Sequence, residues 1–200
     1  QMLAAYESTR EAIENHENPQ GSQGVVELCQ NLLSCSAIHL KAQNPIGAMA
    51  SCMRCVTVAE SANLSIKAEA LLMMAKVKLE IHDFLGALQL TEEVQVSSAK
   101  LKGEVYLLQA ETLLELLARC SEPGMTQKLL QSIVERLQLA VSNFQTAKVS
   151  QDPYGHCHYL LARCYHQLGD VSRRDQHARE FRLSRQETSQ RLVSSCYPMP

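Results

Sequence analysis

The sequence predicts an all-α protein: a right-handed α-solenoid of about four degenerate helix pairs, preceded by an extra N-terminal helix. Three observations predict it. Apolar residues recur at helical spacing, and no stretch alternates as a strand does. Turn residues cut the chain so that consecutive helices must fold back on each other. Small residues recur at Ser36, Ala75, Ala110 and Ala162, at intervals of 39, 35 and 52 residues, as an array of stacked pairs requires.

The first helix is expected over residues 2–16, as a separate element within 1–17, closed by the loop signature Asn18-Pro19-Gln20-Gly21-Ser22. Proline there removes a donor, and glycine permits positive φ. The repeat array is expected over 25–190. Its opening helix, 25–41, carries Val25, Leu28, Leu32, Cys35 and His39 on one face and stops at Gln43-Asn44-Pro45. The next starts with Pro45 in its first turn, where a missing N–H costs little, and carries Ala48, Cys52, Cys55 and Ala59 before Ser61-Ala62-Asn63. Helices 65–81 and 84–96 are separated only by His82-Asp83 and form a second antiparallel pair. The helix 101–120 is apolar nearly all round (Val105, Leu107, Leu108, Leu113, Leu114), which suits a position in the middle of a stack. After Ser121-Glu122-Pro123-Gly124 a long helix carries Leu130, Val134, Leu137, Val141, Phe144 and Ala147, and ends before Gln151-Asp152-Pro153. The last pair is expected over 154–168 and 171–190, joined by Gly169-Asp170, with a flexible tail over 191–200.

Composition narrows the function. Two hundred residues, 46% of them hydrophobic and 20% charged, bury a core without metal or disulfide staples. Nineteen Lys and Arg against 21 Asp and Glu are too balanced for a protein that coats phosphate backbones, so no nucleic-acid partner is expected. No apolar window approaches the ~18 residues of a membrane span, and the start lacks the pattern of a signal peptide, so no membrane is expected either. Beginning at Gln1, the chain is expected to be the C-terminal piece of a longer protein. Eight cysteines lie mostly on apolar stripes, where a free thiol behaves as a small hydrophobe, which points to a reducing compartment, nucleus or cytoplasm.

Chemistry-bearing patterns are few. Cys52-Met53-Arg54-Cys55 has the spacing of a zinc or redox pair, but it lacks a second pair and sits on a helix, which predicts two core thiols. His156-Cys157-His158 with Cys164 and His166 is the densest ligand cluster, yet helical geometry turns His156 and Cys157 about 100° apart. No nucleophile with a base, phosphate loop or carboxylate pair can be assembled, so neither enzyme nor cofactor is expected. Met49, Met53, Met73 and Met74 read as core filler. Arg173, Arg174, Arg182 and Arg185 make the terminal helix a candidate partner surface, interleaved with Asp170, Asp175, Glu180 and Glu187.

The last pair carries the repeat most clearly. Leu161, Ala162, Tyr165 and Gly169, with Ala178 and Phe181 on the return helix, resemble the tetratricopeptide repeat, in which small residues let two antiparallel helices approach. Ser36, Ala75 and Ala110 occupy the first small position in the other pairs, and Ala48 and Ala87 the second. A peptide-gripping adaptor is the alternative function. It needs Lys, Arg and Asn projecting from successive first helices, but the recurring position holds His39, Lys78 and Leu113.

One family matches more of these residues. Asn44-Pro45-Ile46-Gly47-Ala48 through Val58-Ala59-Glu60, the stretch 64–90, Lys102-Gly103-Glu104-Val105, the helix 137–147 and above all Tyr159-Leu160-Leu161-Ala162-Arg163-Cys164-Tyr165-His166-Gln167-Leu168-Gly169 resemble the C-terminal repeats of anaphase-promoting complex subunit 5. The resemblance implies a non-catalytic scaffold subunit of a mitotic cullin-RING ubiquitin ligase. Its partners would be the complex's other subunits: platform subunits 1 and 4 and the tetratricopeptide subunits.

Overall fold

The computed structural model describes residues 21–62, 65–149 and 151–196, and among them every regular element is an α-helix. In chain order these are α1 (Gly21–Lys41), α2 (Pro45–Ser61), α3 (Lys67–Glu80), α4 (Phe84–Glu93), α5 (Ala99–Leu117), α6 (Pro123–Thr146), α7 (Gln151–Gln167) and α8 (Val171–Cys196). The expected helix at 2–16, residues 18–20 of the expected loop and the tail residues 197–200 lie outside the described residues.

The chain divides after Gln95 into two compact units. Where the sequence predicts one array over 25–190, the division falls in the extended segment 94–98, which contains neither Gly nor Pro to announce it. In the first unit α1 packs on α2, α2 on α3 and α3 on α4, and α1 also reaches α3. Its interior gathers Leu28, Cys29, Leu32 and Cys35 of α1, Cys55 and Ala59 of α2, and Ala70 of α3. In the second unit α5 packs on α6, α6 on α7 and α7 on α8. Ile133, Leu137 and Phe144 of α6 and Leu161 of α7 are fully buried there, each contributing roughly 1.5–3 kcal/mol relative to exposure.

Several boundaries differ from the expectation for one physical reason. A helix's first turn has N–H groups without intrahelical partners, so it tolerates residues that break an interior. Gly21 and Ser22 therefore open α1 rather than extending the preceding loop, Pro123 and Gly124 begin α6, and Pro153 lies in the first turn of α7. At the other end, α8 continues through 191–196, part of the expected flexible tail. That segment holds no Gly or Pro, and the first residue to forbid continuation is Pro198.

Candidate functional site

The two helix pairs of the first unit are built on one plan, displaced by 39 residues. Gln43 and His82 both take the left-handed conformation, with φ of 56° and 62°. Asn44 and Asp83 follow as N-caps, and their side-chain oxygens each accept from a backbone N–H three residues on, Gly47 and Gly86, at 3.0 Å. Ahead of each turn stands the recurring position. His39 Nδ1 lies 3.2 Å from Asn44 Nδ2, and Lys78 Nζ forms a salt bridge with Asp83 at 2.5 Å. The Lys78 hydrogen bond and then the Gly86 N–H hold the Asp83 carboxyl below its ordinary value. Both glycines sit close under these side chains: a Cβ on Gly47 would lie 2.8 Å from the His39 ring, and one on Gly86 2.7 Å from Lys78 Nζ, so the side chains would have to shift.

The last pair repeats the plan with different residues. Gly169 supplies the positive φ, 74°, and Asp170 accepts from the Arg173 N–H at 3.0 Å. Tyr165 stands at the recurring position, and Arg173 replaces the glycine, laying its guanidinium 5.5 Å from the Tyr165 ring centre. The third pair departs from it: the Glu122 side chain makes no capping bond at the start of α6, consistent with its stretched interval.

The predicted small residues separate into two groups. Ser36, Ala48, Ala75, Ala87 and Ala110 are wholly buried. Two of them meet directly: Ser36 Oγ donates to the Ala48 carbonyl at 3.1 Å and lies 3.0 Å from Cys52 Sγ. In the last pair Leu161 and Tyr165 are buried, whereas Ala162, Ala178 and Phe181 are only partly so and Gly169 is exposed at its turn. The close approach there is instead made by Gly155, whose absent Cβ leaves room for Ser184 of α8. Gly103 plays that part in the third pair, where a Cβ would lie 2.6 Å from the Phe144 ring. Sequence reasoning passed over both, although Gly103 and Gly155 are separated by 52 residues, the same interval as Ala110 and Ala162.

The His and Cys cluster is dispersed by the fold. His156 turns outward to Glu111 at 3.0 Å, Cys157 and Cys164 point into the core, and His166 is exposed. Burial pushes the Cys157 thiol up to about 12 and Cys164 to about 11. Cys52 and Cys55 are likewise core thiols, and desolvation raises both as well as neighbouring Cys29, a setting that makes thiols inert. No group of three or more His, Cys, Asp or Glu among the described residues is placed to hold a metal ion.

His158 takes a different route, and it is the contact that sequence reasoning missed. Its Nδ1 lies 2.8 Å from Nδ1 of His177 on α8. His177 stacks in parallel on Tyr165, ring centres 5.5 Å apart, and Tyr154 meets His158 edge-on at 4.5 Å. Gln138 and Gln145 of α6 donate to the two tyrosine hydroxyls at 3.0 and 3.1 Å. Of the predicted arginine surface, Arg173 pairs with Asp170 and Arg174 with Asp175. Arg182 and Arg185 are exposed further along α8, and Arg185 borders a cleft of about 370 Å³ lined also by Asp152, His156, Tyr159 and Phe181.

No helix among the described residues is long and apolar enough to cross a membrane. No family model matches the chain, and no curated protein matches it. Among solved structures it is similar to BtubC (BKLC) from P. vanneervenii, at 13% identity and a TM-score of 0.72, over 93% of this chain and 74% of that one. A likeness at this identity shows the fold: an all-helical chain of the solenoid kind.

Proposed function

We propose that this chain is a non-catalytic scaffold, part of the platform of the anaphase-promoting complex that connects the catalytic module to the tetratricopeptide subunits in nucleus and cytoplasm. One observation carries this reading over the peptide-gripping alternative: the polar side chains of the recurring position close their own turns. His39 meets the Asn44 cap, Lys78 meets Asp83, and Tyr165 carries Arg173. A charge clamp needs those side chains to converge on a ligand instead. The inert buried thiols, and the histidines engaged with Glu111 and with each other, favour a structural chain over an enzyme. The stretch Tyr159–Gly169, which carries the resemblance most fully, supplies the buried Leu161 and Tyr165 of the last pair. Of the arginine surface, Arg182 and Arg185 are the residues we assign to a partner contact. The test is affinity purification of the tagged protein from mitotic cells, followed by mass spectrometry. The account expects the other subunits of the complex in near-stoichiometric amounts. Their absence, with a chaperone or short-peptide partner in their place, overturns it.

A further inference from the structure

We propose that the His158–His177 pair is an acid-released latch that holds the last helix, α8, against α7. The geometry sets the proton count. Two neutral imidazoles whose Nδ1 atoms are 2.8 Å apart share one proton, one ring donating and the other accepting. His158 is 4% exposed, and its Nε2 is buried without a partner. An unpaired N–H costs more there than a bare lone pair, so we assign His158 as the Nδ1–H donor and His177 as the acceptor, protonated at Nε2.

The first proton leaves an orphaned donor whichever ring takes it: on His158 it can go only to Nε2, which is buried without a partner. A proton added to His177 Nδ1 takes the lone pair that receives the His158 bond. His158 must then accept instead and carry its own proton on Nε2, an orphaned donor in a dry site. A second proton places two cations in contact. The surroundings offer little compensation. Tyr165 covers one face of His177 and Tyr154 abuts His158, and the hydrogen bonds from α6 to these tyrosines come from the uncharged Gln138 and Gln145. On α8 itself Glu180 favours a charged His177 while Arg173 opposes it. Desolvation first, then His177, lowers His158 to about 4, and burial is likewise the main cause lowering His177.

Folded-state values below the unfolded one mean that the neutral pair contributes fully above the unfolded histidine value, 6.5. The contribution is lost as pH falls from there toward the folded value, about 4 for His158. Because α8 packs principally on α7, its opening is the step that gains the protons.

The experiment is amide hydrogen exchange of the full chain at about pH 7.5 and about pH 5, corrected for intrinsic exchange, with side-chain NMR titration of both rings. The latch predicts that α8 amides lose protection on the order of tenfold or more at the lower pH, while α1–α4 hold theirs. It also predicts that both imidazoles titrate below their ordinary value. His177→Asn, which takes no proton, should weaken the pH dependence of α8, leaving only the part that His158 carries through its own burial. Unchanged α8 protection in the wild type overturns the proposal, as does the same acid loosening in His177→Asn. Should that variant not fold, ordinary titration of His158 and His177 in the wild type is sufficient to overturn it.

Discussion

Lys78 reaches five residues forward to the carboxylate of Asp83, and that carboxylate caps α4 through the Gly86 N–H. Thirty-nine residues earlier, Asn44 makes the corresponding cap with an uncharged side chain. The same turn is thus capped once by a carboxylate and once by an amide. Asn44→Ala should cost about 1 kcal/mol. The Asp83 carboxylate is held below its ordinary value, so its contribution is present above the unfolded carboxylate range and disappears as pH falls through the folded value. Asp83→Asn should therefore flatten the acid limb of the stability curve without abolishing the cap. Urea midpoints between about pH 3 and pH 7 check both variants.

Gly103 faces the Phe144 ring with no space for a methyl group. Both belong to the second unit, where Phe144 is among the largest fully buried side chains, so neither the ring nor the α5 backbone can withdraw cheaply. Gly103→Ala is expected to destabilise by roughly 1–3 kcal/mol, against the usual helix gain from alanine. Adding Phe144→Leu should recover part of the loss, since the two sites are in contact and non-additive. Thermal unfolding of the two single variants and the double variant measures it.

Tyr165 is fixed on three sides: Gln138 donates to its hydroxyl, His177 stacks on its ring and Arg173 lies over it. Tyr165→Phe removes only the hydroxyl contact and should cost about 1 kcal/mol. Tyr165→Ala removes the ring from a buried site and should cost about 3–5 kcal/mol. Equal effects from the two substitutions would show that the ring contacts contribute nothing.

Thiol accessibility gives an independent check of the packing. Among the described cysteines, Cys29, Cys52, Cys55, Cys157 and Cys164 are fully buried, and desolvation raises every one of those thiols, while Cys120 is half-buried near the end of α5. Maleimide labelling of the native protein at neutral pH, mapped by peptide mass, should modify Cys120 well before those five. Early modification of Cys52 or Cys55 would mean that the α1–α2 interface opens readily.

The helices were legible because their determinants are local. The apolar stripe of α1 (Leu28, Leu32, Cys35) and the stop at Gln43-Asn44-Pro45 can be read from residue spacing alone. The 39-residue interval between Ser36 and Ala75 was likewise visible, and it extends residue by residue to His39 and Lys78, Gln43 and His82, Asn44 and Asp83, Gly47 and Gly86. Helix starts were less legible, since Gly21 and Pro153 break an interior but not a first turn. Least legible was the contact between His158 and His177. It joins two helices across 19 residues, and it depends on the register that Gly155 and Ser184 set by their close approach. The densest His and Cys run in the sequence was accordingly the poorer guide, because successive helical positions point in different directions.

The scaffold reading is tested most directly by the native size of the protein in mitotic extract, fractionated gently and probed across the gradient together with ubiquitin-ligase activity. The account predicts that it migrates in one high-mass peak with that activity, leaving little at the mass of the free chain. A protein that migrates alone, or in a complex carrying no ligase activity, contradicts the reading.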